Sequence, residues 1–130
     1  MPVWETRLYG EVRSKKNSKR IVVAHGKPRI VSSVPYKAWE KDAVAQLLRC
    51  QVSPFRALRE GQNVAACITI YRRTKRKYDL TNMGEGVMDA LVLAGILDDD
   101  NADVVHEVTV RRGGVDKENP GCAVRLEWTD

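Results

Sequence analysis

Three consecutive segments in the middle of the chain constrain its fold more than any other feature. Val64 to Tyr71 is a β-prone run, residues at about 82–94 carry the apolar stripe of an amphipathic helix, and Asp103 to Arg111 alternate like a strand. Gly95 directly follows the stripe, which is the usual position of a residue that ends a helix. The sequence therefore predicts a strand, a helix and a second strand in this order.

The rest of the chain shows strand-like alternation and turn residues on either side of this segment. The further predicted elements are a half-buried strand at 3–12, a basic loop at 13–20, a hairpin around Gly26 and Pro28, a helix at about 35–50 with Ser33 as its N-cap, a polar turn beginning at Gly113-Gly114, and a last strand at Cys122–Trp128. The predicted fold class is α+β, a single mixed β-sheet with two main helices packed on it, in one domain spanning residues 1–130.

Positive charge is concentrated in two short segments of this chain, which has a net charge of +5 and a pI near 9.3. Clustered positive charge is typical of proteins that bind a polyanion. We therefore predict that both segments hold the phosphates of a nucleic-acid backbone. The predicted phosphate-binding residues are Lys15, Lys16, Lys19 and Arg20 in the first segment, and Arg72, Arg73, Lys75, Arg76 and Lys77 in the second. Residues 72–77 are called the basic arm below; Tyr71 and Tyr78 flank it and could stack on unpaired bases or pack against the sheet.

Aspartates lie at both ends of the second predicted helix, directly after the basic arm. Asp79 precedes this helix, and Asp98-Asp99-Asp100 follows it. Carboxylate oxygens are the ligands that Mg²⁺ prefers, and the ion promotes phosphodiester hydrolysis. Such a helix is about 20 Å long, so Asp79 and Asp100 share an ion only if the following loop folds back, anchored by Ile96 and Leu97. The pattern predicts metal-dependent cleavage of nucleic acid.

Each of these residues also has a purely structural interpretation. Asp79 could be a simple turn residue, and Asn82 with Glu85 resembles a capping box that satisfies backbone amides at the helix start. Asp98 to Asn101 could be a solvated loop. Gly84 and Gly86 indicate either a phosphate close to the helix amides or tight packing against a strand or a partner subunit.

The ordered set of motifs resembles the RusA family of Holliday-junction resolvases. The residues that carry the resemblance are Lys77-Tyr78-Asp79-Leu80-Thr81-Asn82, then Val87-Met88-Asp89-Ala90-Leu91, then Ala94-Gly95-Ile96-Leu97-Asp98-Asp99-Asp100. The segment from Ser14 to Arg20 is similar to the family's N-terminal loop, where a Lys-Asn pair often occurs. The segment from Ser33 to Glu40 is similar to its first helix, so the resemblance covers most of the chain.

The resemblance implies a small homodimer, encoded by a bacterium or a phage, that binds branched DNA and cuts two opposing strands of a four-way junction. It implies Mg²⁺, with Mn²⁺ as an alternative, held by Asp79 and Asp100. It also makes Asp99 a catalytic candidate and adds Asn17 to the DNA-binding residues. Met88, Val92 and Leu93 lie off the main apolar stripe and are the expected contacts between the two copies.

Two positions depart from the family pattern. Thr81 stands where the family has a second aspartate, and Glu85 stands where it has a lysine. A neutral hydroxyl is a weaker ligand than a carboxylate, unless Glu85 or Asp89 supplies the missing oxygen. Two alternatives therefore stay open: a DNA-binding module of the same ancestry with weak or no cleavage, and an unrelated α+β protein whose basic loops meet an acidic protein.

The first residues of the chain and the length of its apolar runs indicate where in the cell the protein is located. Residues 1–5 lack the pattern of a signal peptide, and no apolar run is long enough to span a bilayer. We therefore expect a cytoplasmic protein without membrane contact.

Overall fold

The computed structural model describes residues 2–14, 19–32, 34–50 and 57–129, and only the backbone at 19–22, 24, 29–32 and 34. In chain order the elements are β1 (Val3–Tyr9), β2 (Lys19–Ala24), β3 (Lys27–Ser32), α1 (Val34–Cys50), β4 (Val64–Arg72), α2 (Leu80–Leu93), β5 (Val105–Val115) and β6 (Gly121–Glu127). This order matches the predicted sequence of elements, and the expected N-cap at Ser33 lies outside the described residues.

The main sheet is mixed, with strand order β1-β6-β4-β5. β6 pairs antiparallel with both β1 and β4, whereas β4 and β5 run parallel and are connected through α2. A parallel pair requires such a crossover, and a helix is its usual form. β2 and β3 form a separate antiparallel hairpin, so the predicted α+β class, mixed sheet and two helices are confirmed.

Both helices contribute to one hydrophobic core on one face of the main sheet. Tyr36, Trp39 and Leu47 recur at helical spacing in α1, and Val87 and Leu91 do so in α2. The strand residues of this core are Leu8 in β1, Val64, Ala66, Ile68 and Ile70 in β4, and Cys122, Val124 and Leu126 in β6. The alternate residues of β4, such as Thr69, are half-buried on the opposite face.

Several predicted boundaries are wrong, each for a local reason. β1 ends at Tyr9 rather than at residue 12, because Gly10 has a φ of +106° and takes the chain out of the strand. Lys19 and Arg20 belong to β2 rather than to a loop. Gly113 and Gly114 continue β5 rather than begin a turn, and the ladder shifts register between Ile70 and Tyr71 to accommodate them.

Two glycines in the first turns of α2 let this helix approach its neighbours closely. A Cβ atom on Gly84 would lie 2.5 Å from Cγ2 of Val110 in β5. A Cβ atom on Gly86 would lie 3.2 Å from Cε1 of Tyr36 in α1. Of the two explanations offered by the sequence, packing against a neighbouring strand therefore accounts for Gly84, and packing against α1 accounts for Gly86.

The Gly84–Val110 contact predicts a compensating pair of substitutions. Gly84→Ala should lower the free energy of unfolding by about 1–3 kcal/mol, the usual range for overpacking, because the added methyl group meets a β-branched side chain. The double variant Gly84→Ala/Val110→Ala should lose less stability than the sum of the single variants, because the smaller side chain makes room. Urea denaturation of the four proteins measures this coupling, and additive losses would contradict it.

Candidate functional site

Asp79 is the N-cap of α2, and its carboxylate is exposed but held in place. Its Oδ1 accepts a hydrogen bond from the Asn82 amide at 3.2 Å and one from the Thr81 hydroxyl at 2.8 Å. Asp79, not Asn82, therefore caps the helix, and the capping-box interpretation of Asn82 with Glu85 is wrong in this respect. Thr81, which stands where the family pattern has a second aspartate, donates its hydroxyl hydrogen bond to Asp79.

The chain after α2 folds back through a Schellman motif. Gly95 has a φ of +76°, its amide donates to the Val92 carbonyl, and the Ile96 amide donates to the Leu91 carbonyl. Ile96 and Leu97 are fully buried, as the anchoring role predicted for them requires. The Asp98 amide then donates to the carbonyl of Leu58 at 2.8 Å, which fixes the start of the acidic loop.

The three consecutive aspartates have different surroundings. Asp98 is exposed. Asp99 organises the turn, because its Oδ1 accepts the Asp100 amide at 2.7 Å and its Oδ2 accepts the side-chain amide of Asn101 at 3.1 Å. Asp100 lines a pocket of about 250 Å³ with Asp89 and Glu40, called the acidic pocket below, whose other walls are Val92 and Leu93. Of the three aspartates, Asp100 is therefore the one that joins other carboxylates.

Carboxylates approach one another in the acidic pocket. Burial raises the pKa of Asp100 above its usual value, and the neighbouring Asp89 carboxylate raises it further. Glu40 accepts a hydrogen bond from the Tyr36 hydroxyl at 2.7 Å and lies 3.9 Å from Lys37 Nζ. Within the described part of the chain, no group of three or more His, Cys, Asp or Glu side chains is arranged to hold a metal ion.

Asp79 and Asp100 do not meet within one chain. Asp100 lies beside Asp89, which is ten residues along α2 from Asp79, and ten residues of helix extend about 15 Å. The loop thus folds back to the last turns of the helix and not to its N-terminal end.

The start of the basic arm is fixed by Glu11. Its carboxylate accepts the Arg73 amide at 2.7 Å and lies 3.7 Å from the Arg72 guanidinium. Arg72 also lies over the Tyr78 ring, 4.8 Å from its centroid, and donates to the carbonyl of Val12. Arg72 is therefore occupied within the fold, and its role in holding phosphate stays a prediction.

Three cations of the arm form a pocket with Arg112, a residue that the sequence alone does not single out. Lys75, Arg76, Lys77 and Arg112 line a volume of about 300 Å³ with Tyr78 and Leu80, called the basic pocket below. Arg112 is opposite Ile70 in the parallel β4–β5 ladder, so it stands where β4 leads into the arm. The sequence predicts that β5 ends at Arg111, and it does not show that β5 pairs with β4. The position of Arg112 could therefore not be predicted from the sequence.

Three of the other predicted DNA-binding residues, Lys15, Lys16 and Asn17, lie outside the described residues. Lys19 and Arg20 pair in the β2–β3 ladder through their backbones, and Arg73 is exposed. Of the flanking tyrosines, Tyr71 packs on the face of the sheet beneath Arg7, whose guanidinium is 4.5 Å from its ring centroid.

Comparison of the chain with protein-family models and with curated proteins finds no match in either set. No helix in the described part of the chain is both long and apolar enough to cross a membrane.

The different surroundings of the two aspartates predict opposite effects of Asp→Asn on stability. Asp79→Asn keeps a capping side chain but removes a negative charge from the helix N terminus, so stability should fall by about 0.3–1 kcal/mol. Asp100→Asn removes a carboxylate whose ionised form is disfavoured, so stability at pH 7 should rise by no more than about 0.5 kcal/mol, the usual range at exposed positions.

The Asp100 effect should also depend on pH. The pKa of Asp100 in the folded state lies above its ordinary value of 3.8, so the folded state binds more protons than the unfolded state in the pH range above that value. The wild type therefore loses stability relative to Asp100→Asn as the pH rises through this range. Thermal unfolding of both proteins at pH 3 and pH 7 measures the difference, and a larger gain for the variant at pH 3 would contradict it.

Proposed function

We propose that the protein is a magnesium-dependent, structure-selective endodeoxyribonuclease of the RusA type that resolves four-way DNA junctions as a homodimer. The observation that carries this proposal is the opposite charge at the two ends of α2. The basic pocket adjoins Leu80 at the start of this helix, and the acidic pocket adjoins Asp89 and Leu93 at its end. Metal-dependent cleavage of DNA uses both features, because cations hold the backbone and carboxylates hold the catalytic ion.

Asp100 and Asp89 of one chain, with Asp79 of another, would hold the ion. The donor set supports this role, because carboxylate oxygens are hard ligands that suit Mg²⁺ and tolerate Mn²⁺ in its place. Asp89 or Glu85 would offer the carboxylate oxygen that Thr81 does not have. Thr81, Glu85 and Asp89 lie on the same side of α2, and none of them is fully buried. When bound, the ion would neutralise phosphate charge and acidify a water molecule.

The dimer would bring the separated parts of the site together. Two copies whose α2 helices lie antiparallel across a twofold axis would place Asp79 of one copy near Asp100 of the other. The basic pocket of each copy would then face the acidic pocket of its partner. Leu93, which is 62% exposed, and the partly buried Val92 offer apolar surface for this contact, whereas Met88 is buried within its own chain.

The DNA backbone would be held mainly by the exposed cations. Arg73, Lys75, Arg76, Lys77 and Arg112 are all exposed, and phosphate contacts of this kind give affinity without sequence information. Selection of a branched substrate would come from the fixed distance between the two sites of the dimer. Binding should therefore weaken steeply with added salt, through release of counterions.

A DNA-binding module with weak or no cleavage is the second candidate. The Thr81 hydroxyl bound to Asp79 favours it, because this carboxylate already accepts two local hydrogen bonds. Both candidates bind junctions, so only the cutting step separates them.

Cleavage of a synthetic four-way junction in the presence of Mg²⁺ tests the proposed function. Asp79→Asn and Asp100→Asn should each reduce the rate at least 100-fold, about 2.7 kcal/mol in the barrier, while junction affinity is kept. Asp98→Asn is the matched control, because Asp98 is exposed in the same loop and outside the acidic pocket. Tight binding without cleavage in Mg²⁺ or Mn²⁺ would favour the non-cutting module.

Mixing the two inactive variants tests whether the site is shared between chains. In a heterodimer of Asp79→Asn and Asp100→Asn, one site receives both wild-type aspartates and the other receives neither. Random exchange of subunits should therefore restore about a quarter of the wild-type sites, and the products should be single nicks. If each site were built within one chain, mixing would restore no activity.

A further inference from the structure

The basic pocket has the size of a binding site for one small molecule. Its volume of about 300 Å³ lies at the lower end of the range for pockets that enclose ligands. Lys75 to Tyr78 provide one wall, and Leu80 and Arg112 provide the rest.

Uncompensated positive charge converges on this pocket. Within the described residues, no carboxylate forms an ion pair with Lys75, Arg76, Lys77 or Arg112. Arginines elsewhere in the fold do have such partners, as Arg7 does in Asp116 and Arg125 does in Glu127. Four unpaired cations around one concavity repel one another, and a ligand that carries phosphate relieves this repulsion.

An aromatic ring held in a fixed position supplies the apolar part of the same pocket. The guanidinium of Arg72 lies 4.8 Å from the centroid of the Tyr78 ring, and Glu11 and the carbonyl of Val12 hold Arg72 in turn. Tyr78 and Leu80 are both half-buried, so each still presents surface to the pocket. A ring fixed in this way offers a stacking surface at little cost in side-chain entropy.

We propose that the basic pocket binds a single unpaired nucleotide, with its base against Tyr78 and Leu80 and its flanking phosphates on Arg112 and the arm lysines. The proposal rests on the proposed function only in taking the polymer to be DNA. It would give the protein a means to recognise a branch point at which a base has left the stack, whereas a paired base in a duplex is held within the stack.

Tyr71, the other tyrosine beside the arm, is not built for this role. Each of the two rings lies beneath an arginine, Arg7 over Tyr71 and Arg72 over Tyr78, but the Tyr71 ring also packs against Gly113, where a Cβ atom would be only 2.6 Å from its Cε1. Tyr78 lines the basic pocket, whereas Tyr71 does not. The pocket therefore depends on Tyr78 alone among the two tyrosines that flank the arm.

Equilibrium binding of short single strands tests the proposal without any cleavage step. Fluorescence anisotropy at low salt compares a labelled oligothymidylate with a strand of the same length built from abasic deoxyribose phosphates. The thymidylate strand should bind roughly 5- to 150-fold more tightly, the range that one base–aromatic stack gives. Tyr78→Leu should remove this preference, and Tyr78→Phe, which keeps the ring, should retain it.

Two further variants separate base stacking from phosphate binding and from general effects. Tyr9→Leu is the matched control, because Tyr9 is 54% exposed in β1 and also lies beneath an arginine, and it should leave the preference unchanged. Arg112→Ala should weaken binding of both strands equally and lower the salt slope by about 0.7. Tyr78→Leu should leave the salt slope as it is.

Equal affinity of the wild type for the two strands would overturn the proposal, since it would mean that the pocket reads phosphate only. Loss of the preference in Tyr78→Phe would also overturn it, because the stacking ring is still present. These results do not depend on junction cleavage. An inactive protein that prefers the thymidylate strand would refute the nuclease and keep the pocket, and an active nuclease without the preference would do the reverse.

Discussion

The close approach of α2 to the β4–β5 pair is the constraint on which the rest of the structure depends. Gly84 has no side chain at the point where Val110 contacts the helix. α2 therefore packs closely against the parallel strands that it connects. This contact fixes the start of the helix beside the basic arm. The same helix, about 20 Å long, carries the chain to the opposite end of the molecule, where the acidic loop begins.

The anchoring of the two loops follows from that placement. On one side, Glu11 accepts the amide of Arg73 and pairs with Arg72, so the arm leaves β4 in a defined direction. On the other side, buried Ile96 and Leu97 and the Asp98 amide attach the acidic loop to Leu58. Neither charged segment is a free tail. Each is presented by backbone hydrogen bonds to buried parts of the fold.

Most elements of this fold could be predicted from periodicity. When one face of an element is buried, apolar residues recur with a period of two residues in a strand and 3.6 residues in a helix. The errors occurred where one local interaction outweighed the pattern. Asp79 displaced Asn82 as the cap because its carboxylate reaches the Asn82 amide, and Gly113 stayed in β5 because the ladder with β4 continues through a register shift. Such choices between neighbouring residues depend on contacts that a pattern does not contain.

The candidate site could be predicted only as two separate charged segments. The sequence singles out Asp100 as a candidate, but its neighbours Glu40 and Asp89 come from two helices, and their meeting with Asp100 depends on how α1 packs against α2. Arg112 likewise joins the basic pocket only because β5 is parallel to β4. Residues that converge through tertiary packing carry no signal in their spacing along the chain.

The charges around α2 oppose the dipole of the helix. A helix is stabilised by negative charge at its N terminus and positive charge at its C terminus, yet its first turn has no acidic residue and its last turn no basic one. Apart from the Asp79 cap, cations gather at the positive end and carboxylates at the negative end. This arrangement lowers the stability of the isolated chain. A partner that neutralises the cations at the start of the helix or the carboxylates at its end raises that stability. The partners that we propose would each supply such charge: phosphates at the N-terminal end, a divalent cation at the C-terminal end, and a second antiparallel copy across both.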